Sequence, residues 1–244
     1  MLTLPKPVSA QEVIDGAGGR IFRIFPQQQL HWPDTDPVVL WDNFDVDSSA
    51  DFPEHLHRGF EIIMYMVVGG FSHKDATGLE KDIYEGEVLR FTTGKGATHS
   101  ETPIGERAMG MQLWVNLPRK MKGIEPSAEM KGAENIPAET FDWGSIKRIA
   151  GDNGAIQINT PIDYRDFHFE KSGSYEYTIP EGWRAFGYLL DGSAEFGEIA
   201  LKPKQIAIAE TGTLTINATG DSRLFLVCAA KQNEQIRFYG PIVD

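Results

Sequence analysis

Two short stretches decide the fold of this chain: His55-Leu56-His57 and, further along, His99-Ser100-Glu101. Side chains at positions i and i+2 of a β-strand lie on the same face, so each stretch, if extended, directs two metal-binding groups to one point. Two neighbouring strands would then bring three imidazoles and one carboxylate to a single ion. The spacing therefore predicts a mononuclear metal centre on β-strands, with His55, His57, His99 and Glu101 as ligands.

The donor set narrows the choice of metal. Three imidazole nitrogens and one carboxylate oxygen leave open positions on an octahedral ion, and this mixture suits Fe(II), Mn(II), Ni(II), Cu(II) or Zn(II). Fe(II) is favoured, because the set resembles the two-histidine, one-carboxylate triad of iron oxygenases with one more imidazole. A structural zinc and a set of unrelated histidines are the alternatives. Zinc sites of that kind usually recruit cysteine, and the single cysteine, Cys228, is far away in sequence.

Two carboxylates are candidates for catalysis. Glu101 would accept the proton of a substrate hydroxyl if it left the ion. Glu61, which follows His57 closely, is a candidate ligand, a partner of a ligand or a second general base.

Composition excludes several classes of protein. The chain has 244 residues and a net charge of −12, which opposes direct binding to a nucleic-acid backbone. Its longest apolar runs are far shorter than the roughly 20 residues of a transmembrane helix. The first ten residues do not resemble a signal peptide, and the lone cysteine excludes an internal disulfide, so the predicted location is cytoplasmic, with a nuclear location as the alternative. The acidic segment 42–54 is expected to be a solvated loop or, alternatively, a negative rim beside the site.

Short apolar runs separated by glycine and proline predict an all-β protein. The predicted strands are Arg20–Phe25, Val38–Trp41, Glu61–Val68, Glu80–Ile83, Val88–Thr92, Met109–Asn116, Phe167–Glu170, Ser174–Ile179, Ala185–Leu190, Gln205–Ala209, Leu214–Asn217 and Arg223–Ala229.

An internal repeat suggests two tandem barrels. Gly59-Phe60, Tyr65 and Gly69 recur with the same spacing as Gly182-Trp183, Tyr188 and Gly192, and Thr93-Gly94 recurs as Thr211-Gly212. We expect a metal-binding barrel over residues 1–120, a connector over 121–142 with a short helix near 126–132, and a second barrel over 143–244. Because the second half offers only His168, that barrel is expected to lack a metal site.

Several motifs resemble one known family, the pirins. The stretch His55-Leu56-His57-Arg58-Gly59-Phe60-Glu61 is similar to their His-Pro-His-Arg-Gly-Phe-Glu motif, with leucine in place of proline. The segment 93–101 is similar to their Gly-Arg-Gly-x-x-His-Ser-Glu segment, with Lys95 in place of arginine. The segment 110–118 and the Tyr-Gly-Pro at 239–241 also match family motifs.

The resemblance implies a bicupin fold, in which two cupin barrels (double-stranded β-helices, or jelly rolls) occur in tandem and only the first binds metal. It implies iron held by His55, His57, His99 and Glu101. Family members are described as quercetin 2,3-dioxygenases and as iron-dependent cofactors of transcription regulators.

Three functions follow as hypotheses. The first is a dioxygenase that uses O2 on a flavonol-like aromatic. The second is a redox-responsive regulatory protein that binds a protein partner without turnover. The third is an isomerase or another non-oxidative metal enzyme, since the fold alone does not choose among them.

Overall fold

The computed structural model describes residues 6–244. Those residues form β-strands and two short 3-10 turns, Arg119–Met121 and Ala133–Asn135. The strands are β1 Val8–Ser9, β2 Gln11–Asp15, β3 Gly19–Phe25, β4 Val38–Val46, β5 Phe52–His57, β6 Phe60–Asp75, β7 Glu80–Tyr84, β8 Val88–Thr92, β9 Ala97–Asn116, β10 Ser127–Lys131, β11 Ala138–Phe141, β12 Gly144–Gly151, β13 Ile162–Phe169, β14 Gly173–Asp191, β15 Ala194–Phe196, β16 Ile199–Leu201, β17 Gln205–Ala218, β18 Ser222–Ala230, β19 Phe238–Tyr239 and β20 Ile242–Val243. The predicted all-β class is confirmed.

The chain folds into two compact units. The first, called here the N-terminal barrel, comprises Gln11–Asn135, Ile158–Thr160 and Gln232–Asp244. The second, called here the C-terminal barrel, comprises Ile136–Gln157 and Pro161–Lys231 together with residues 6–10. The sequence predicted two barrels that each consist of one continuous segment, with the connector 121–142 between them. In the structure, each barrel instead combines segments that are distant along the chain.

The N-terminal barrel is built on one sheet with the strand order β10-β8-β6-β9-β4-β3-β2, to which β5 adds by pairing with β9 and β7 by pairing with β6. Its core follows from the period-two pattern of β6, in which Ile62, Met64 and Met66 recur on one face and are buried together. The long pairing of β6 with β9 supports the strand that carries His99 and Glu101.

The C-terminal barrel has the strand order β11-β12-β13-β18-β14-β17-β15-β16, with β1 paired to β17. Its core takes Leu224, Leu226 and Cys228 from alternate positions of β18. Strands predicted separately at Ser174–Ile179 and Ala185–Leu190 are one strand, β14, whose pairing with β17 has an irregular register between Ile179 and Arg184.

The sequence repeat corresponds to a structural one. Gly59 and Gly182 both have positive φ, of 88° and 79°, where a side chain would be strained. Tyr65 and Tyr188 are both fully buried.

The structure differs from the expected helix and from the expected solvated loop, whereas the alternative of a negative rim agrees with Asp42 at a cavity beside the imidazoles. The segment 126–132 holds no helix; its residues Ser127–Lys131 form β10, which pairs antiparallel with β8. The acidic segment 42–54 is not simply a solvated loop, because Asp42 lies in β4 and is only 5% exposed.

Candidate metal centre

The predicted ligands lie on two paired strands of the N-terminal barrel. Antiparallel pairing of β5 with β9 sets His55 directly opposite His99. His57 lies two residues after His55, and Glu101 lies two residues after His99, so each shares a face with its neighbour. The pairing of β5 with β9 therefore brings the residues of the two sequence motifs into one cluster.

Three imidazoles converge closely. The ring centroids of His55, His57 and His99 lie 4.5–4.9 Å apart, and the Nε2 atoms of His55 and His99 are 3.1 Å apart. Metal–nitrogen bonds of about 2.0–2.1 Å place neighbouring ligand nitrogens about 3 Å apart. One potential ligand atom from each ring lies within 4.8 Å of the others, which fits a shared ion.

The backbone orients the first imidazole. Nδ1 of His55 is 2.7 Å from the carbonyl oxygen of Pro53, so a proton on Nδ1 would donate there. This hydrogen bond leaves Nε2 as the lone-pair nitrogen, which faces His99. Metal-binding histidines are commonly oriented in this way through their second nitrogen.

Glu101 belongs to a second, overlapping group that also contains His99 and His73. Its Oε1 atom is 3.5 Å from Nδ1 of His73 and 3.7 Å from Nδ1 of His99, both longer than a normal hydrogen bond. The predicted ligands thus form two groups that share His99. Binding the same ion as the three imidazoles would require the Glu101 carboxylate to turn toward them.

The protonation states suit metal binding. Burial, followed by the adjacent His99 and His55, lowers the pKa of His57 to about 3. Burial also lowers the pKa of His99 to about 4, although the charge of Glu101 opposes it. Burial raises the pKa of Glu101, but the neighbouring His99 and His73 outweigh it and bring the value to about 2. Neutral imidazoles and an ionised carboxylate are the forms that bind metal, so these residues fit an ion.

His73 is the site residue that sequence reasoning missed. It lies on β6 opposite Glu101, is fully buried, and places Nε2 2.9 Å from Oδ2 of Asp75. Burial lowers its pKa, but Glu101 and Asp75 outweigh burial, so the pKa is raised. The alternation His73-Lys74-Asp75 was the available signal, but the partner strand was unknown.

Glu61 lies in a different environment. It is fully buried, and its carboxylate accepts hydrogen bonds from Oγ1 of Thr92 at 2.7 Å and from the backbone and side chain of Asn159 at 2.7 and 2.9 Å. It does not line the cavity described below. Its predicted role as a ligand or general base rests on sequence spacing alone.

A cavity of about 330 Å³ opens beside the imidazoles. It is lined by Asp15, Ile21, Arg23, Pro26, Leu40, Asp42, Phe52, His55, His57, Glu101, Gln112, Trp114, Phe238, Gly240 and Pro241. Trp114 forms part of the cavity wall next to the imidazoles. Its ring centroid lies 4.7 Å from that of His57 and 4.4 Å from that of Phe60, on which the indole stacks. The cavity therefore has an apolar wall beside the imidazoles, and it is also lined by the polar side chains of Asp15, Arg23, Asp42 and Gln112.

The C-terminal segment closes against the strand that carries His57. The backbone N–H of Arg58 donates to the carbonyl of Pro241, and that of Val243 donates to the carbonyl of Arg58. Nζ of Lys122 donates to the carbonyls of Gly59 and Val243, each at 2.9 Å. A side chain at Gly59 would place its Cβ 1.9 Å from the oxygen of Val243, so glycine is required there.

Comparison with known proteins identifies the family. The family described as Pirin matches residues 21–115, and the Pirin C-terminal cupin domain matches residues 164–244. A pirin-like protein of Solanum lycopersicum is 32% identical over 98% of this chain and 85% of its own length. The chain belongs to the pirin family.

Solved structures confirm the bicupin fold of this pirin. Quercetin 2,3-dioxygenase from Acinetobacter baumannii matches with a TM-score of 0.88 at 26% identity, over 99% of this chain and 91% of that chain. The bacterial pirin YhhW from Escherichia coli, in complex with nickel(II), matches with a TM-score of 0.75 at 17% identity, over 91% of this chain and 96% of that chain. At 17% identity the second match supports the fold alone.

Within residues 6–244, no helix is long and apolar enough to cross a membrane. The cytoplasmic location stays a prediction.

Proposed function

We propose that this pirin binds one iron ion and uses O2 to oxidise a flavonol-like aromatic, as a quercetin 2,3-dioxygenase does. The observation that carries the proposal is the convergence of three imidazoles, of which those of His57 and His99 are buried, beside a cavity with an apolar wall. The 26% identical structure described as a quercetin 2,3-dioxygenase supports the same activity.

His55, His57 and His99 would hold the ion, with Glu101 as the fourth ligand once its carboxylate turns away from His73. Bound Fe(II) supplies the one-electron chemistry that O2 needs to react with an organic molecule. The assignment of iron rests on the mixed nitrogen and oxygen donors. Manganese, nickel, copper or zinc would fit the same donors.

The cavity suits a small aromatic. Its volume of about 330 Å³ lies within the range of small-molecule sites. Trp114 and Phe52 provide flat apolar surface for a ring, and burial of the ring would exclude water from it. Glu101, after leaving the ion, would accept the proton of the substrate hydroxyl nearest the candidate ligands, since it is the one carboxylate of the ligand set and lines the cavity.

Oxygen uptake tests this proposal. Protein loaded with Fe(II) without air should consume O2 and remove quercetin absorbance when both are added. His99→Ala protein, treated identically, should do neither. If iron-loaded wild-type protein takes up no oxygen with any flavonol, the dioxygenase proposal fails.

A second candidate is a redox-responsive regulatory protein, and the C-terminal segment favours it. Backbone hydrogen bonds join Arg58, which follows the ligand His57, to Pro241 and Val243. The same segment carries Tyr239, which is 62% exposed. A shift of β5, which carries His57, would thus move the exposed C-terminal segment around Tyr239, which a protein partner can contact.

Hydrogen exchange distinguishes this candidate. Under the regulatory hypothesis, amides of residues 237–244 should exchange at different rates in the ferrous, ferric and metal-free protein. Equal rates in all three forms would remove its structural basis.

A further inference from the structure

Three adjacent strands each present two residues to the cavity of the N-terminal barrel. The pairs are Ile21 and Arg23 on β3, Leu40 and Asp42 on β4, and Gln112 and Trp114 on β9. Members of each pair are two residues apart, as the pleat of a strand requires for a common face.

The pairing register sorts these side chains into rows. Arg23 is opposite Asp42, and Asp42 is opposite Gln112, so the three form a polar row across the strands. Leu40 is opposite Trp114 in the next row, about 7 Å along the strands. Because Trp114 packs against His57, the apolar row lies next to that candidate ligand, and the polar row lies one row further along the strands.

The polar row is rigidly organised. Nε and Nη2 of Arg23 donate to the two carboxylate oxygens of Asp42, at 3.1 and 2.9 Å, and Nη2 also donates to Asp15 at 2.9 Å. The side chain of Asp42 is only 8% exposed. A bidentate pair of this kind fixes the direction of its remaining donors and acceptors.

The charge of the polar row determines which functional groups of a bound small molecule it can accept. Two carboxylates share one guanidinium, so the cluster of Asp15, Arg23 and Asp42 carries a net negative charge when all are ionised. A carboxylate on a bound small molecule would be repelled by this negative charge. A neutral hydroxyl can donate to a carboxylate oxygen and accept from a guanidinium or an amide, so it matches the row.

Because Asp42 is buried, a hydrogen bond from a substrate hydroxyl to its carboxylate would be more stabilising than one to an exposed carboxylate. Burial raises the pKa of Asp42 to about 6, even though Arg23 opposes the effect. A carboxylate short of solvation gains more from a new donor than an exposed carboxylate does.

We infer that Arg23, Asp42 and Gln112 bind a hydroxyl at the end of the substrate remote from the metal ligands, and that they select neutral polyhydroxylated aromatics over carboxylated ones. The inference rests on the proposed function for the aromatic scaffold. It assigns these three residues to specificity rather than to the reacting atoms.

Binding measured without oxygen tests the inference independently of turnover. Dissociation constants of iron-loaded protein would be determined by calorimetry for quercetin and for 3-hydroxyflavone, which lacks the further hydroxyls. Wild-type protein should prefer quercetin. Hydrogen bonds to charged groups lead us to expect that Arg23→Met combined with Asp42→Leu lowers this preference about 10- to 100-fold.

The matched control is Arg107→Met. Arg107 forms the same two-bonded pair with Asp45, on the same barrel but outside this cavity. It should leave the preference unchanged. Asp42→Asn keeps the shape of the row if the double variant fails to fold, and it should lower the preference by a smaller factor. A carboxylated 3-hydroxyflavone should bind wild-type protein more weakly than 3-hydroxyflavone does.

The outcomes separate the two proposals. Hydroxyl selection that depends on the row, in a protein without oxygen uptake, supports the inference and ends the dioxygenase proposal. Oxygen uptake with an unchanged preference in the variants overturns the inference alone. Wild-type protein that binds neither flavonol, or that prefers the carboxylated probe, also overturns the inference.

Discussion

In the N-terminal barrel, β5 and β9 set His55 opposite His99. In the C-terminal barrel, the corresponding strands are the first half of β14, which precedes Gly182, and the second half of β17, which follows Gly212. By the repeat spacing of Gly59 and Gly182, the position of His55 is taken there by Thr178, which is opposite Thr213. The neighbouring pair, Tyr177 opposite Leu214, is buried in the hydrophobic core. The paired strands therefore carry candidate metal ligands in one barrel, and threonines beside apolar packing in the other.

This difference shows that the barrel and the site are separate properties of the chain. The repeated glycines and the buried tyrosines Tyr65 and Tyr188 preserve the scaffold in both halves. Chemistry depends on which side chains occupy a few inward positions. Matched variants in the two barrels would show whether metal binding and hydroxyl selection belong to the N-terminal barrel alone.

The largest effect is expected on metal binding. His57→Ala should lower metal affinity by more than about 100-fold, since loss of a ligand exceeds the loss of an outer hydrogen-bond partner. His168→Ala, in the C-terminal barrel, should leave metal content unchanged. Metal analysis of the two purified variants checks the comparison. Equal metal loss in both would contradict it.

The repeated glycines should respond differently to alanine. Gly59→Ala should lower the free energy of unfolding by about 2–5 kcal/mol, because positive φ strain adds to the clash with Val243. Gly182→Ala should lower it by about 1–2 kcal/mol, because no atom lies within 4 Å of its added Cβ and only the φ strain remains. Chemical denaturation of both variants measures the difference. Equal losses would show that the close contact with Val243 has no energetic role.

The polar row should make stability depend on pH. Burial raises the folded pKa of Asp42 from 3.8 to about 6, so the folded state binds more protons than the unfolded state between those values. The contribution of Asp42 to the free energy of unfolding is complete below about pH 4 and is lost as the pH rises through about 6. The loss should reach at most about 3 kcal/mol.

Denaturation of wild-type and Asp42→Asn protein from pH 4 to 7 checks this prediction. The variant should lack that part of the pH dependence. Asp45→Asn, on the same strand but more exposed, should retain it. A pH profile of Asp42→Asn that equals the wild-type profile would rule out Asp42 as its source.

The smallest effect is expected at His73. His73→Leu should weaken metal binding about 10- to 100-fold, because His73 faces the Glu101 carboxylate and would orient it. Metal titration with a competing chelator measures the change. His31→Leu, an exposed histidine, is the control. Unchanged affinity in His73→Leu would make His73 a structural residue.

Local sequence patterns predicted much of this protein. Alternation and glycine-rich turns identified most strands, and the repeat identified two barrels. The prediction failed at 126–132, where lysine, glutamate and alanine favour a helix locally. Pairing of Met130 with Leu89 instead places this segment on the sheet edge. Tertiary pairing thus outweighed weak helix propensity.

The sequence by itself determined the donor types of the candidate centre, because the period of a strand fixes which residues share a face. Only the tertiary structure decided that His73 joins Glu101 and that Glu61 lies elsewhere. It also decided that Arg23 and Asp42 line the cavity. The physical reason is that these contacts depend on which strands pair and in which register, and long-range pairing leaves little trace in the local pattern.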